Sequence, residues 1–211
     1  MPPIANFSLF FVASLALLLT PGPAVLYIVT RSVDQGRKAG LISVLGIETG
    51  NLVHVFGAAL GISALLLSSA VAFDLVKYLG AAYLITIGVR KLLTPVKREV
   101  VVVTREKNLR ATYFQGVMVG ALNPKTALFF LAFLPQFVDA SQGQVTLQTL
   151  MLGIVFAVMA VFTDGAYALL SGTAGGWLKT SAWYLRFQRY IAGSIYIGLG
   201  LIAATSSSSR K

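Results

Sequence analysis

Cysteine is absent from the 211 residues, which excludes disulfide frameworks, thiolate metal sites and cysteine nucleophiles. Histidine occurs once, at His54, and only seven residues are acidic. One histidine and two dispersed carboxylates at Glu48 and Asp164 cannot be assembled into a metal site, so no metal is expected. No serine–histidine, paired-aspartate or metal-ligand spacing supports an enzyme, and no cofactor is expected. Charge is scarce at 11% of the chain. The net charge of +10 could suggest nucleic acid, but the basic residues fall between apolar runs without an aromatic-interleaved patch. Nucleic acid is therefore excluded as a partner, and the charge carries topology. The N-terminal apolar run lacks a basic n-region, and Pro21-Gly22-Pro23 is a poor cleavage site, so it reads as a retained span rather than a signal peptide.

What the chain has is apolar length, since 56% of it is hydrophobic. Six segments stand out: Asn6–Val29, Gly40–Leu67, Val71–Val89, Tyr113–Val138, Val145–Gly172 and a shorter Tyr190–Thr205. Most reach the ~18–20 residues that cross a bilayer core of about 30 Å. The expected fold is all-α, a polytopic helical bundle in a lipid bilayer, forming one transmembrane domain over 1–211. Loops one, three and five carry thirteen Lys and Arg residues against one in loops two and four. Arg31, Arg37 and Lys38 belong to loop one, Lys77 to loop two, and Lys179, Arg186 and Arg189 to loop five. The positive-inside rule makes the odd loops cytoplasmic and the N-terminus external. Whether the short sixth segment crosses decides the side of the C-terminus. Trp177, Trp183 and Tyr184 beside Lys179 and Arg186 read as an interfacial belt. The third loop, Thr94–Thr112, contains Glu99 to Thr104 and reads as a flexible linker, with a gating or partner-binding segment as the alternative.

The organising stretch is Thr20-Pro21-Gly22-Pro23. Two prolines each delete a backbone donor, so a helix cannot run through it unbroken. Inside a bilayer, such a break is tolerated only where the freed groups face protein or a wet cavity. Leu122-Asn123-Pro124-Lys125-Thr126-Ala127 echoes it, and Gly193-Ser194-Ile195-Tyr196 echoes Gly80-Ala81-Ala82-Tyr83. Three spans per set is odd, so the second set enters from the opposite side. This predicts a 3+3 inverted repeat with broken helices one and four. Repeat one covers about 1–92, a cytoplasmic linker 93–112, repeat two 113–205 and a tail 206–211. Chance placement of Pro and Gly is the alternative.

Polar residues at depth complete the pattern. Glu48, Asn51 and His54 are spaced three apart and share a helical face. At about 1.5 Å per residue, Glu48 and Asp164 lie about 12 Å from the cytoplasmic end, Lys125 about 18 Å and Pro21 about 10 Å. An ionised side chain there costs about 2.5–3.5 kcal/mol on insertion scales, so these groups need a shared partner or water. One reading is a substrate site formed by Pro21, Gly22, Pro23, Glu48, Asn51, Asn123, Pro124, Lys125 and Asp164. Glu48 and Asp164 would receive an ammonium group or a proton. Lys125 and the half-helix N-termini after Pro21 and Pro124 would receive a carboxylate. The other reading is a salt-bridge cluster that only joins helices. Proton coupling falls to Glu48, Asp164 and His54, although a lone histidine is more often a packing residue. The pairs Gly46/Gly50 and Gly57/Gly61 read as smooth helix-packing faces.

These residues resemble the LysE/RhtB family of bacterial amino-acid exporters. Pro21-Gly22-Pro23 and Gly36-Arg37-Lys38-Ala39-Gly40 are similar to its first-helix signature. Gly46-Ile47-Glu48-Thr49-Gly50-Asn51 through His54 resembles the second, and Lys77-Tyr78-Leu79-Gly80-Ala81-Ala82-Tyr83-Leu84 with Gly88 the third. Asn123-Pro124-Lys125 with Phe133-Leu134-Pro135-Gln136-Phe137-Val138 is the most specific, and Asp164-Gly165-Ala166-Tyr167 matches the fifth. The resemblance implies efflux of amino acids or their derivatives across the bacterial inner membrane, coupled to protons, by a homodimer. A passive amino-acid channel or facilitator is the alternative.

Overall fold

The computed structural model describes residues 4–68, 70–94, 108–180 and 182–205, with side chains at 7–61, 71, 75, 78–94, 108–139, 141–171, 190–191 and 193–205. Residues Glu99 to Thr104 of the third loop, the 206–211 tail and the side chains of Lys77, Trp177, Lys179, Trp183, Tyr184, Arg186 and Arg189 lie outside that description.

The described chain is helical throughout, in the order α1 (Ile4–Leu18), α2 (Pro23–Gln35), α3 (Arg37–Ser68), α4 (Ala70–Leu93), α5 (Leu109–Ala121), α6 (Pro124–Leu128), α7 (Val145–Thr180) and α8 (Ala182–Thr205). A π-turn at Phe129–Phe133 and 3-10 turns at Leu134–Phe137 and Ala140–Gln142 follow α6. Among the described residues, three stretches are long and apolar enough to cross a membrane: Arg37–Gly61, Leu109–Phe137 and Val145–Ser171. The α1–α2 pair makes a fourth if it counts as one bent span. The third and sixth expected segments are present as α4 and α8, and the apolar described part of α8 is the shorter Gly193–Thr205.

Two boundaries differ from the sequence expectation. The fifth loop is helix: α7 runs to Thr180 and α8 starts at Ala182, since no proline interrupts that stretch. In loop three, α5 begins at Leu109, where the Asn108 side chain accepts from Ala111 N at 3.1 Å and caps the helix.

The two expected breaks are unequal. At the first, α1 and α2 meet at 52°. At the second, Leu109–Phe137 continues as a single span. The reason is local. Pro21 and Pro23 both withdraw donors at the first break, whereas only Pro124 does so at the second. There, Leu122 N to Met118 O (3.0 Å), Asn123 N to Gly120 O (3.1 Å) and Ala127 N to Asn123 O (3.0 Å) keep the ladder nearly continuous.

Packing follows small residues. A Cβ added at Gly46, Gly50 or Gly120 would lie 2.2 Å from a carbonyl oxygen of Tyr113, Val117 or Ile47 respectively, so α3 and α5 meet backbone to backbone. Gly88 and Gly193 do the same between α4 and α8. By contrast, Gly57 and Gly61 are exposed with nothing within 4 Å, so only the first of the two expected glycine pairs joins helices in this chain. The helix α3 also packs on α7, and α2 on both α3 and α7. Phe10, Phe129, Phe130, Phe133, Phe137 and Phe156 form an aromatic core, with Phe129 stacked on Phe156 at 4.9 Å and Phe10 edge-on to Phe137 at 5.4 Å. Pro135 lacks the N–H that would bond back one turn, and the helix before it widens into the π-turn that faces four of its five residues inward.

Candidate functional site

The first break is held open by donors from distant helices. Thr20 Oγ1 donates to Ala16 O at 2.8 Å, within α1. Tyr167 of α7 donates its hydroxyl to Leu19 O at 2.9 Å, and Lys125 of α6 donates Nζ to Thr20 O at 2.5 Å. These carbonyls end α1, where the helix dipole is negative and favours a cation. Gly22 allows the approach, because a Cβ there would sit 3.2 Å from Lys125 Cδ. Two of the freed carbonyls are therefore met by protein donors, as a break at membrane depth requires.

A cavity of about 20 Å³ opens beside this break. That is room for about one water and not for an amino acid. Gly22, Glu48, Asn51, Asn123, Lys125 and Asp164 line it, together with Leu18, Ala24, Val25, Thr126 and Phe156. Pro21, Pro23 and Pro124 shape the backbone around it without lining it. His54 also stays outside: its Nε2 lies 3.1 Å from Gly120 O and its ring 6.5 Å from that of Phe130. Three helices supply the charges, with Glu48 on α3, Lys125 on α6 and Asp164 on α7.

The polar groups are incompletely satisfied. Asn51 Nδ2 donates to Glu48 Oε2 at 3.2 Å, as the three-residue spacing on α3 allows. Glu48 Oε1 and Asn51 Oδ1 are buried without a hydrogen-bond partner. Asn123 Oδ1 is occupied, accepting from Lys125 N at 3.1 Å and capping α6. Asp164 lies within Coulombic range of both Glu48 and Lys125. The cavity thus holds two carboxyl groups within hydrogen-bond reach of each other, against one ammonium; with both ionised, Glu48 Oε1 and Asn51 Oδ1 have no donor. Such a set accepts one more cationic donor.

A second polar cluster escaped the sequence reading. Arg31 was assigned to a loop, yet it lies in α2 and is 3% exposed. Its Nη2 donates to Gln115 Oε1 of α5, its guanidinium stands 5.2 Å from the centre of the Tyr27 ring, and its Nε has no hydrogen-bond partner. Tyr27 donates its hydroxyl to Thr112 O at 3.0 Å, which ties α2 to α5 a second time. The signal available in the sequence was the four-residue spacing Pro23, Tyr27, Arg31, which places all three on one face of α2.

Apolar spans enclosing a charged cavity at a helix break are a pattern found in membrane transport proteins. The LysE type translocator model matches residues 15–207, and the chain belongs to that family, which is one of translocators rather than enzymes. A homoserine/homoserine lactone efflux protein of Salmonella typhi is 26% identical over 197 residues, covering 93% of this chain and 95% of the relative. An uncharacterized membrane protein of Vibrio cholerae is 26% identical with the same coverage. One from Bacillus subtilis is 29% identical over 194 residues, covering 88% of this chain and 91% of the relative. No solved structure matches the chain.

Proposed function

We propose that this protein is a secondary-active exporter of an amino acid or amino-acid derivative across the bacterial inner membrane, working by proton antiport. The observation that carries the reading is the pair of orphaned acceptors, Glu48 Oε1 and Asn51 Oδ1, in a cavity shared with Asp164 and Lys125. An α-ammonium group supplies the donors those atoms lack. The substrate carboxylate would take Lys125 from Thr20 O, next to the positive N-terminus of α2. A proton answers the same excess of carboxylate charge as an ammonium group does. Proton and substrate therefore compete for Glu48 and Asp164, and that competition is the basis of antiport. The place of His54 against Gly120 O supports a positioning role rather than a proton relay.

The helix pairing supports the inverted repeat. Under the exchange of repeats, α3 pairs with its own counterpart α7, and α4 with its counterpart α8. The contact of α3 with α5 likewise corresponds to that of α7 with α1, and the contact of α2 with α7 to that of α6 with α3. With the Gly36 end cytoplasmic, the aromatic core closes the outer side of the cavity. The small enclosed volume favours a carrier over a passive channel, which needs a continuous path.

The test is counterflow in proteoliposomes with each of the twenty amino acids and homoserine lactone, with and without a pH gradient. Saturable exchange of a small set, accelerated by the gradient, is the expected result. Unsaturable flux indifferent to pH would make the protein a channel and overturn the proposal.

A further inference from the structure

We infer that Arg31 is a receptor for the substrate carboxylate on the cytoplasmic side of the cavity, and that Gln115 occupies its place while the path is closed. This rests on the export reading above and adds a residue and a step to it.

A buried guanidinium is costly unless its donors are met, and Arg presents a planar fork that matches a carboxylate in two parallel hydrogen bonds. Arg31 has neither end of that match. It is 3% exposed, meets one neutral amide oxygen from Gln115 and the ring and hydroxyl of Tyr27, and keeps Nε without a partner. Thr112 Oγ1 on the facing helix is also buried without a partner. A carboxylate at this point would meet two donors of the fork, and charge would replace an amide dipole.

Position gives the site its purpose. Eight residues separate Arg31 from Pro23, about 12 Å along α2, so Arg31 stands on the Gly36 side of the cavity with Tyr27 between them. The side-chain ties between α2 and α5 at this level are polar: Arg31 to Gln115, and Tyr27, whose hydroxyl donates to Thr112 O at 3.0 Å and lies 3.4 Å from Gln115 Oε1. A carboxylate that displaces Gln115 from Arg31 also draws it from Tyr27, and leaves only Tyr27 to Thr112 O of these ties. Entry and unlatching become the same event, and a molecule without a carboxylate gains nothing from Arg31.

The experiment compares homoserine with homoserine lactone, which keeps the amine and carbon skeleton and lacks the carboxylate. In proteoliposome counterflow, the wild-type ratio of kcat/KM for homoserine over lactone is expected to fall at least tenfold in Arg31→Gln. Arg31→Lys, which keeps charge without the fork, should fall between them. Equal loss for both compounds, in protein shown to be folded, makes Arg31 structural and overturns the inference; an unchanged ratio does the same. A second arm uses the cysteine-free background: Ala24→Cys places one thiol in the cavity, labelled by a maleimide from the Gly36 side. Sodium acetate, against sodium chloride, should raise the labelling rate in Ala24→Cys and not in Ala24→Cys with Arg31→Gln. Indifference to acetate overturns the inference. If the wild type exchanges neither these compounds nor any of the twenty amino acids, the export proposal fails while the acetate arm still decides Arg31.

Discussion

Lys125 places its ammonium 2.5 Å from the carbonyl oxygen of Thr20, so a side chain from α6 completes the end of α1. The two residues belong to the two proline-marked segments, and the contact crosses 105 positions of sequence. Removing the amine orphans a buried carbonyl. Lys125→Met should therefore abolish export and lower stability by about 1–3 kcal/mol, the range for a buried group left unsatisfied. Transport assays and thermal unfolding in detergent check both parts.

Tyr167→Phe tests the neighbouring carbonyl. It deletes the hydroxyl that serves Leu19 O and leaves the ring in place. A loss of about 1–3 kcal/mol is expected from the orphaned acceptor. Hydrogen exchange should quicken around residues 19–22 before the rest of the bundle is affected.

The proposed antiport places proton and substrate in competition for the same two carboxylates. Asp164→Asn and Glu48→Gln should each abolish acceleration of export by a pH gradient while the protein still inserts. The measurement is initial efflux rate with and without the gradient. Full pH-driven export by both variants would remove antiport from the proposal.

The glycines of α3 give a matched comparison. Gly46→Ala or Gly50→Ala drives a methyl group to about 2.2 Å from backbone oxygen and should cost at least the ~1–3 kcal/mol typical of overpacking. Gly57→Ala and Gly61→Ala enter open space and should leave the unfolding temperature unchanged or raise it slightly. Unfolding midpoints of the four variants decide it.

At the loop before α7, the Asp139 carboxyl is held below its ordinary pKa, first of all by the Ser141 hydroxyl at 2.6 Å. A depressed carboxylate stabilises the folded loop above the unfolded pKa, and the contribution is lost as pH falls through the folded value. Amide exchange over 138–144, corrected for intrinsic rates, should accelerate in that acid window. Asp139→Asn should remove the dependence.

The break and the cavity were legible because their signals are chemical deletions or intrusions. Two prolines must end a helix, and Glu48, Lys125 and Asp164 are charges where apolar residues are the rule. Arg31 was hidden by the same logic. Two residues past the apolar run ending at Val29, it counted as a loop charge, although α2 continues to Gln35 and buries it. The π-turn at Phe129–Phe133 was invisible, since every position there is apolar and periodicity does not distinguish 3.6 residues per turn from a wider coil. The difference between the two breaks lay in how many backbone donors each loses, a count the shared Pro motif conceals.

The Tyr167 and Lys125 contacts have a consequence for biogenesis. The carbonyls of Leu19 and Thr20 are met by residues 148 and 105 positions further along the chain. During synthesis the first segment enters the bilayer with its break unfinished, and local sequence cannot finish it. Its bent geometry is fixed only when the later helices arrive, so the earliest part of the chain to be made is among the last to reach its final shape.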